Sequence, residues 1–298
     1  MKQIWAKQSY RSLKNENSFN NFYDIVILSD NEQALTSCDD KTIKLWDLKT
    51  RKVKRIYSGH THNIKTISSS SCGKYFISGS NDKTIKLWDI ETSECIKTFK
   101  GHNGDICSIT YTLNDQFILS GSSDCNIKLW DIETSECIKT FKEHSGTIFS
   151  VICHPIGLTV ISGSEDSTIK LWKLKDLKTI HSFNDKVWKK SLAISPDGKY
   201  IASGSFGKIK IWDLITGKLQ QINKQFTGWC NTLTFDNNSK KILFGTSKGF
   251  IGIIDITTNL LEYDLKGHKE NINKVVYSPN NQFILSSGDD EIMKLWNI

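Results

Sequence analysis

An all-β ring of seven four-stranded antiparallel blades, a β-propeller, is the fold this sequence predicts, and three observations carry the prediction. First, a short phrase of the type Ile-Lys-Leu-Trp-Asp returns at Trp46, Trp88, Trp130, Trp172, Trp212 and Trp296, and Ile254 stands where a seventh tryptophan is due. The intervals are 42, 42, 42, 40, 42 and 42 residues. Self-similarity at such a period means one supersecondary unit copied around or along an axis. Second, apolar residues inside each copy alternate with period two, the period of a half-buried strand. Third, no segment shows a sustained helical period or a clear pair of helix caps.

The copy around Trp88 shows the elements in order. Residues 74–80 (Lys-Tyr-Phe-Ile-Ser-Gly-Ser) are rich in β-branched, aromatic and small residues, Asn81-Asp82-Lys83 is turn material, and residues 84–89 alternate again. A polar turn (Glu91-Thr92-Ser93-Glu94), a strand from Cys95 to Phe99, the pair Gly101-His102 and a last strand from Ile106 to Thr110 complete the unit. Four short strands per copy, in seven copies, describe the blades of a propeller, which leaves only short, protected strand edges.

Bulk properties exclude several classes. A chain of 298 residues has room for two domains, but a continuous repeat argues for one domain spanning 1–298. Hydrophobic residues make up 38% and charged residues 24%, which suits a globular protein with ample core. No apolar run approaches the roughly 20 residues needed to span a bilayer, and Met1 to Lys7 lack the apolar stretch of a secretory signal. The eight cysteines form no Cys-x-x-Cys pair and no metal-ligand spacing, and Cys95 and Cys137 fall at the same position of neighbouring copies. Free thiols in a reducing compartment, cytoplasmic or nuclear, are therefore expected, with no metal and no cofactor. The net charge of +7 suggests nucleic acid, yet Lys44, Lys86, Lys128, Lys170, Lys210 and Lys294 occur one per copy. They are expected as solvated lysines spread around the molecule, whereas nucleic-acid binding needs clustered charge.

Four copies share a longer pattern. Gly59-His60, Ser78, Asp82 and Trp88 recur as Gly101-His102, Ser120, Asp124 and Trp130, and as Gly267-His268, Ser286, Asp290 and Trp296. His144, Ser162, Asp166 and Trp172 match with Glu143 in place of the glycine, and histidine and tryptophan stand 28 residues apart in all four. On these residues the chain resembles the WD-repeat (G-beta-like) family of seven-bladed propellers over essentially its whole length. The resemblance implies that His, Ser, Asp and Trp form a hydrogen-bonded network inside each blade, not a catalytic set. Buried polar groups need partners, and an active site is needed once rather than four times. It also implies a ring closed by the N-terminal segment: about residues 4–13 are expected to supply the fourth strand of the last blade, whose third strand ends at Trp296-Asn297-Ile298.

Three copies depart from the pattern. The first has Thr36, Asp40 and Trp46 but Ser18 at the histidine position; the fifth keeps Ser203 and Trp212 but carries Ser205-Phe206-Gly207 at the aspartate turn. The sixth has Phe226 for His, Lys248 for Asp and Ile254 for Trp. Two readings stay open: decay of blades that neighbours support through shared interfaces, or blades redrawn by function. Residues 85–100 and 127–142 are identical (IKLWDIETSECIKTFK), so the second and third copies differ chiefly around their turns.

By the resemblance, those turns gather at the mouth of the central channel, where partners dock. Counting from each histidine position gives the candidate partner-binding residues Tyr23, Lys65, Phe149, Trp188, Lys190, Phe206 and Trp229. Trp188 and Trp229 share one position of adjacent degenerate copies, either as part of an aromatic rim or as filler for the missing histidines. The expected function is a non-catalytic scaffold or adaptor that binds protein or peptide partners at that mouth, as a monomeric propeller within a multiprotein complex and away from membranes. The alternatives are a ribosome- or RNA-associated propeller using its basic surface, and a channel-mouth enzyme. The second is disfavoured because the off-pattern histidines His62, His154 and His181 lie on different copies.

Overall fold

The computed structural model of the chain describes residues 10–13, 21–157, 159–175, 178–185, 191–223 and 226–298. Seven antiparallel four-stranded sheets follow one another: residues 22–58, 64–100, 106–141, 148–184, 192–223 and 230–265 form blades one to six. The seventh pairs Ile272–Tyr277, Phe283–Gly288 and Met293–Asn297 with the N-terminal strand Tyr10–Leu13, which lies against Met293–Asn297 in the register Tyr10 to Trp296 through Leu13 to Met293. The first strand thus completes the last blade and shuts the ring. The expected closing segment began at about residue 4; residues 1–9 lie outside the described ones. Among the described residues the only helical piece is a single 3-10 turn at Leu113–Asp115, and no helix is long and apolar enough to cross a membrane.

The core lies between blades. One buried cluster joins Leu35, Ile43 and Tyr57 of the first blade to Ile64, Phe76 and Trp88 of the second. The same mixture of two neighbouring blades recurs around the ring. Three signature tryptophans pack edge-on against an aromatic ring from the outer strand of the preceding blade: Tyr57 with Trp88, Phe99 with Trp130 and Phe141 with Trp172, at 6.1, 6.1 and 5.4 Å between ring centres. The glycine of Ser-Gly-Ser serves the same contact. A Cβ on Gly79 would stand 2.5 Å from Ile106 Cγ2, and one on Gly121 would stand 2.6 Å from Val151 Cγ2, both in the following blade. A side chain there would wedge the blades apart.

Innermost strands do not share a sheet, so they are tied by side chains. Ile67 N–H donates to Asp24 Oδ2 at 3.1 Å, Val151 N–H to Ser108 Oγ at 3.0 Å, and Val275 N–H to Thr232 Oγ1 at 3.4 Å. Lys274 pairs with Asp24 at 3.1 Å across the closure. These strands surround a channel of about 270 Å³ with polar walls. At the far ends of the same strands, turns are linked from blade to blade. Asn31, Asp115, Ser239 and Asn281 all have positive φ without being glycine. Each uses its side chain to accept a backbone N–H from the preceding turn: Asn280, Ser71, Asp197 and Asn237 respectively. Those bonds offset the cost of the left-handed conformation.

Closure predicts a measurable dependence on the first strand. A chain starting at Asn15 leaves the Met293–Asn297 edge unpaired. It should melt about 5 °C or more below the full chain, since roughly 1 kcal/mol moves a large domain by about 2–4 °C, and it should self-associate through the bared edge. Equal melting temperatures and no self-association would count against closure as a stabilising contact.

Candidate functional site

The repeated polar residues meet inside the blades. Trp88 Nε1–H donates to Ser78 Oγ at 2.8 Å, Ser78 Oγ lies 2.7 Å from His60 Nε2, and His60 Nδ1 lies 2.7 Å from Asp82 Oδ2. Trp130–Ser120–His102–Asp124 and Trp172–Ser162–His144–Asp166 have the same geometry. Trp296–Ser286–His268–Asp290 does too, with separations of 2.7 to 2.9 Å. Indole is a donor only, so each serine accepts from it and passes its own proton to histidine Nε2. The histidine is then neutral and donates Nδ1–H to the aspartate. Every hydrogen and acceptor in the chain is used, and the four serines are wholly buried, which leaves no nucleophile open to a substrate.

Electrostatics agrees with that proton arrangement. Burial lowers His102 and His144 below their ordinary 6.5, against the raising influence of Asp124 and Asp166. Burial by itself raises the Asp82 carboxyl, yet hydrogen bonds from His60, Thr84 and Thr61 outweigh it and hold the carboxyl well below the usual carboxylate range. Asp124, Asp166 and Asp290 are lowered by the same balance.

Where the pattern departs, other chemistry fills the same space. In the first blade Trp46 Nε1–H donates to Thr36 Oγ1 at 2.8 Å and Asp40 pairs with Lys44; Ser18 lies outside the described residues. In the fifth, Asp185 occupies the histidine position: Ser203 Oγ donates to it at 2.5 Å and Lys210 Nζ at 2.6 Å, while Trp212 Nε1–H reaches Ser203 Oγ at 3.1 Å. In the sixth the network has become apolar. Phe226 and Phe244 stand in the places of His and Ser with ring centres 4.6 Å apart, Phe250 lies 5.7 Å from Phe244, and Ile254 is buried beside them. Gly252 replaces the lysine of the other copies for a steric reason: a Cβ there would lie 2.6 Å from Phe244 Cε1 and 2.8 Å from Phe250 Cε1.

The repeated lysines require a correction, because four of the six are buried or largely covered, while Lys86 and Lys128 are half-buried. Lys44 and Lys294 are buried, and Lys210 and Lys170 are largely covered and bonded to Asp185 and to the Glu143 carbonyl. Lys128, Lys170 and Lys210 lie over the rings of Trp130, Trp172 and Trp212 at 6.0, 5.8 and 5.5 Å. Their stems cover the indoles; Asp185 holds the ammonium of Lys210, the Glu143 carbonyl that of Lys170 and the Thr140 hydroxyl that of Lys128. Asp185 and Gly252 carry meaning that the four-part motif alone does not reveal; the nine-residue spacing from Ser203 to Trp212, one shorter than elsewhere, was the available signal.

The candidate partner residues fall into two groups. At the mouth where the innermost strands begin, Tyr23, Lys65, Cys107, Phe149 and Asn273, one position in five blades, line a cavity of about 320 Å³ with Asn81 and Asp105. Lys65 Nζ sits 3.6 Å from the centre of the Tyr23 ring. Phe206 and Trp229 stand apart on blades five and six, bridged through their backbones with rings edge-on at 5.4 Å. Phe206 is 59% exposed and Trp229 half-buried. Phe226, not Trp229, occupies the space of the sixth blade's missing histidine. Trp188, Lys189 and Lys190 lie outside the described residues. Among the described residues no group of three His, Cys, Asp or Glu is arranged to hold a metal.

Two consequences can be measured. As pH falls through 6.5, unfolded chains take up protons that the neutral buried His102 and His144 refuse, so stability declines. Below about 3.8 the depressed aspartates add a second decline. Melting temperature from pH 8 to 3 should therefore be flat and then fall in two stages, with the first weakened in His102→Gln and His144→Gln; an unaltered first stage in both variants contradicts the assignment. Gly252→Ala should destabilise the chain by about 1–3 kcal/mol through overpacking, and Phe244→Leu should recover part of that loss when combined with it. A neutral Gly252→Ala would show that the ring cluster has room to spare.

Comparison with known proteins agrees with this architecture. The family model described as WD domain, G-beta repeat matches residues 10–47, 51–89, 93–131, 135–173, 175–213 and 260–297. The stretch left between residues 213 and 260 holds the blade whose polar network became aromatic. Similar proteins include the WD repeat-containing protein SL1-17 of Schistosoma mansoni (25% identity over 109 residues, 36% of each chain). Others are the meiotic recombination protein rec14 of Schizosaccharomyces pombe (29% over 111 residues, 36% of each) and the nuclear distribution protein PAC1 of Candida albicans (35% over 111 residues, 37% of this chain and 19% of the relative). These matches span about a third or less of each relative's length. With six repeats matched by the family model and seven blades in the fold, the chain belongs to the WD-repeat family.

Proposed function

We infer that this propeller is a non-catalytic scaffold that binds protein or peptide partners at the mouth where its innermost strands begin. WD-repeat propellers are in general non-catalytic scaffolds. The observation that carries the reading is how side chains divide. The repeated Trp, Ser, His and Asp saturate one another inside the blades, while one non-repeating position from five blades supplies the cavity holding Tyr23, Lys65 and Phe149. Half-buried aromatic residues in a concave pocket are the anchors that dominate protein binding.

The larger cavity at the opposite mouth, about 460 Å³, has a different character. Its turns are bonded to one another, as Ser71 to Asp115, and seven serines and threonines are among the seventeen residues of its walls. His154 there uses both nitrogens, donating to the Gly198 carbonyl and accepting Ile156 N–H. That weakens the enzyme reading. The RNA reading loses support from the repeated lysines, four of which are buried or held by Asp40, Asp185, Glu143 and Asp290.

A panel of peptides selected against the full chain tests the reading. Phe149→Ala should weaken the selected binders about thirtyfold, the size of a hot-spot truncation, without altering the melting temperature, and raising salt from 50 to 200 mM should change affinity little. Binders indifferent to Phe149→Ala, or RNA binding that collapses over the same salt range, would overturn it. The same panel with Trp229→Ala reports on the second aromatic group.

A further inference from the structure

The turn leading into the third blade holds the one Asn-Gly pair of the sequence, Asn103-Gly104. Asn103 is exposed, and among the described residues neither its side-chain amide nor the Gly104 N–H makes a hydrogen bond. Gly104 is required by packing: a Cβ there would stand 2.5 Å from Ser123 Oγ and 2.7 Å from Asp124 N. Position 103 is under no such demand. The same turn of the fourth blade has Ser145 before Gly146, and Ser145 N–H donates to Asp166 Oδ2 at 3.1 Å, as Asn103 N–H donates to Asp124 Oδ2 at 2.9 Å. The fold thus fixes the glycine and gives the asparagine side chain before it no structural task.

An asparagine in that place has a chemistry of its own. The Gly104 nitrogen, with no side chain to shield it, gives up its proton and attacks Asn103 Cγ. A C–N bond forms, the Cγ–Nδ2 bond breaks, and Nδ2 leaves as ammonia carrying that proton. The five-membered imide then takes up one water. Opening at Cγ gives aspartate; opening at the main-chain carbonyl gives isoaspartate, whose backbone runs through Cβ and Cγ. Both reacting groups must be free for this, and the single Asp-Gly pair of the chain shows the opposite case. Asp197 Oδ1 is held by the Ser195 hydroxyl at 2.6 Å and Lys199 N–H at 3.1 Å, and Gly198 N–H donates to the Ser195 carbonyl at 2.8 Å. We propose that Asn103 is a site of spontaneous modification, where loss of ammonia places an isoaspartate in the turn and loosens the third blade. Asp124 Oδ2 there binds both Asn103 N–H and His102 Nδ1, the latter at 2.7 Å. Beyond it, Asp105 N–H donates to Ser123 Oγ at 2.8 Å and Ser123 N–H to the Asp105 carbonyl at 3.0 Å. An extra main-chain atom between residues 103 and 104 shifts one set of bonds against the other.

The test ages the full chain in warm, mildly alkaline buffer. One amide becomes one carboxylate, so the formal net charge falls by one from +7 and a more acidic species should grow on charge-resolving chromatography. Peptide mapping should place it at residue 103, and a methyltransferase specific for isoaspartyl carboxyls should label it. The purified isoaspartate species should melt about 3–6 °C below the fresh chain, the shift of a lost charge-assisted hydrogen bond. Asn103→Asp, which adds the charge without the extra main-chain atom, should stay within about 1 °C, as a surface substitution does. Asn103→Ser, the arrangement of the fourth blade, should age without that species. Asp197→Asn builds a second Asn-Gly pair in the bonded turn, which should convert about tenfold more slowly than Asn103, the factor that one hydrogen bond implies. The site is overturned if residue 103 does not convert, if another asparagine converts first, if the species persists in Asn103→Ser, or if the two pairs in Asp197→Asn convert equally fast. An isoaspartate chain that melts like the fresh one overturns the loosening.

Discussion

Everything in this molecule depends on packing between blades. A four-stranded sheet of this size has two faces to bury and no partner layer of its own, so each blade uses its neighbours. The contact is specific: an indole from one blade lies edge-on against a ring from the preceding outer strand, as Trp88 against Tyr57. Close approach at Gly79 and Gly121 lets the next inner strand come near enough to complete it. Because each apolar cluster is shared by two neighbouring blades, the series must close or leave two apolar faces open. Backbone hydrogen bonds between Tyr10–Leu13 and Met293–Asn297 join the two ends of the series within one sheet.

The signature position is filled in four ways in this one chain, and in the first blade Thr36 accepts from Trp46 while Asp40 pairs with Lys44. Four blades use the serine–histidine–aspartate chain, in which each proton has one destination. The fifth replaces histidine by Asp185 and recruits Lys210, a buried ion pair that still orients Ser203 toward Trp212. The sixth abandons polarity: Phe226, Phe244, Phe250 and Ile254 fill the volume, and Gly252 yields the space. Replacing all members of a buried network by apolar groups is tolerated, whereas removing one member strands its partners. That asymmetry explains why the sixth blade has lost His, Ser, Asp and Trp together instead of one at a time.

The sequence made the ring legible because period and alternation are properties of spacing. Seven copies and four strands each could be read by counting from Trp46 to Trp296, and the N-terminal completion of the last blade followed from the family resemblance. Replacement chemistry was less visible. Phe226 and Ile254 could be recognised as departures, but their joint packing depends on three-dimensional distances to Phe244 and Phe250. The repeated lysines were misread for a related reason: alternation says that a side chain leaves the buried face, not that its stem then lies along an indole with its ammonium held by a neighbour. Among the candidate partner residues, the count from histidine reached Tyr23, Lys65 and Phe149, which share a cavity, but gave no means of separating them from Phe206 and Trp229 on the other side of the ring.

Net charge and local charge diverge for the same structural reason. The lysines that occur once per copy have work inside the fold, so they contribute to the formal +7 without forming a basic binding stripe. The acids of the signature are likewise spent on histidines, tightly enough to stay ionised far below neutral pH. Outside the repeat the accounting differs: among the described residues the Asp105 carboxylate makes no bond and Asn81 Oδ1 has no hydrogen-bond partner, and both line a cavity with Lys65. Local chemistry is read from such residue-by-residue accounting, since an overall charge cannot tell a side chain committed within the fold from one that faces solvent.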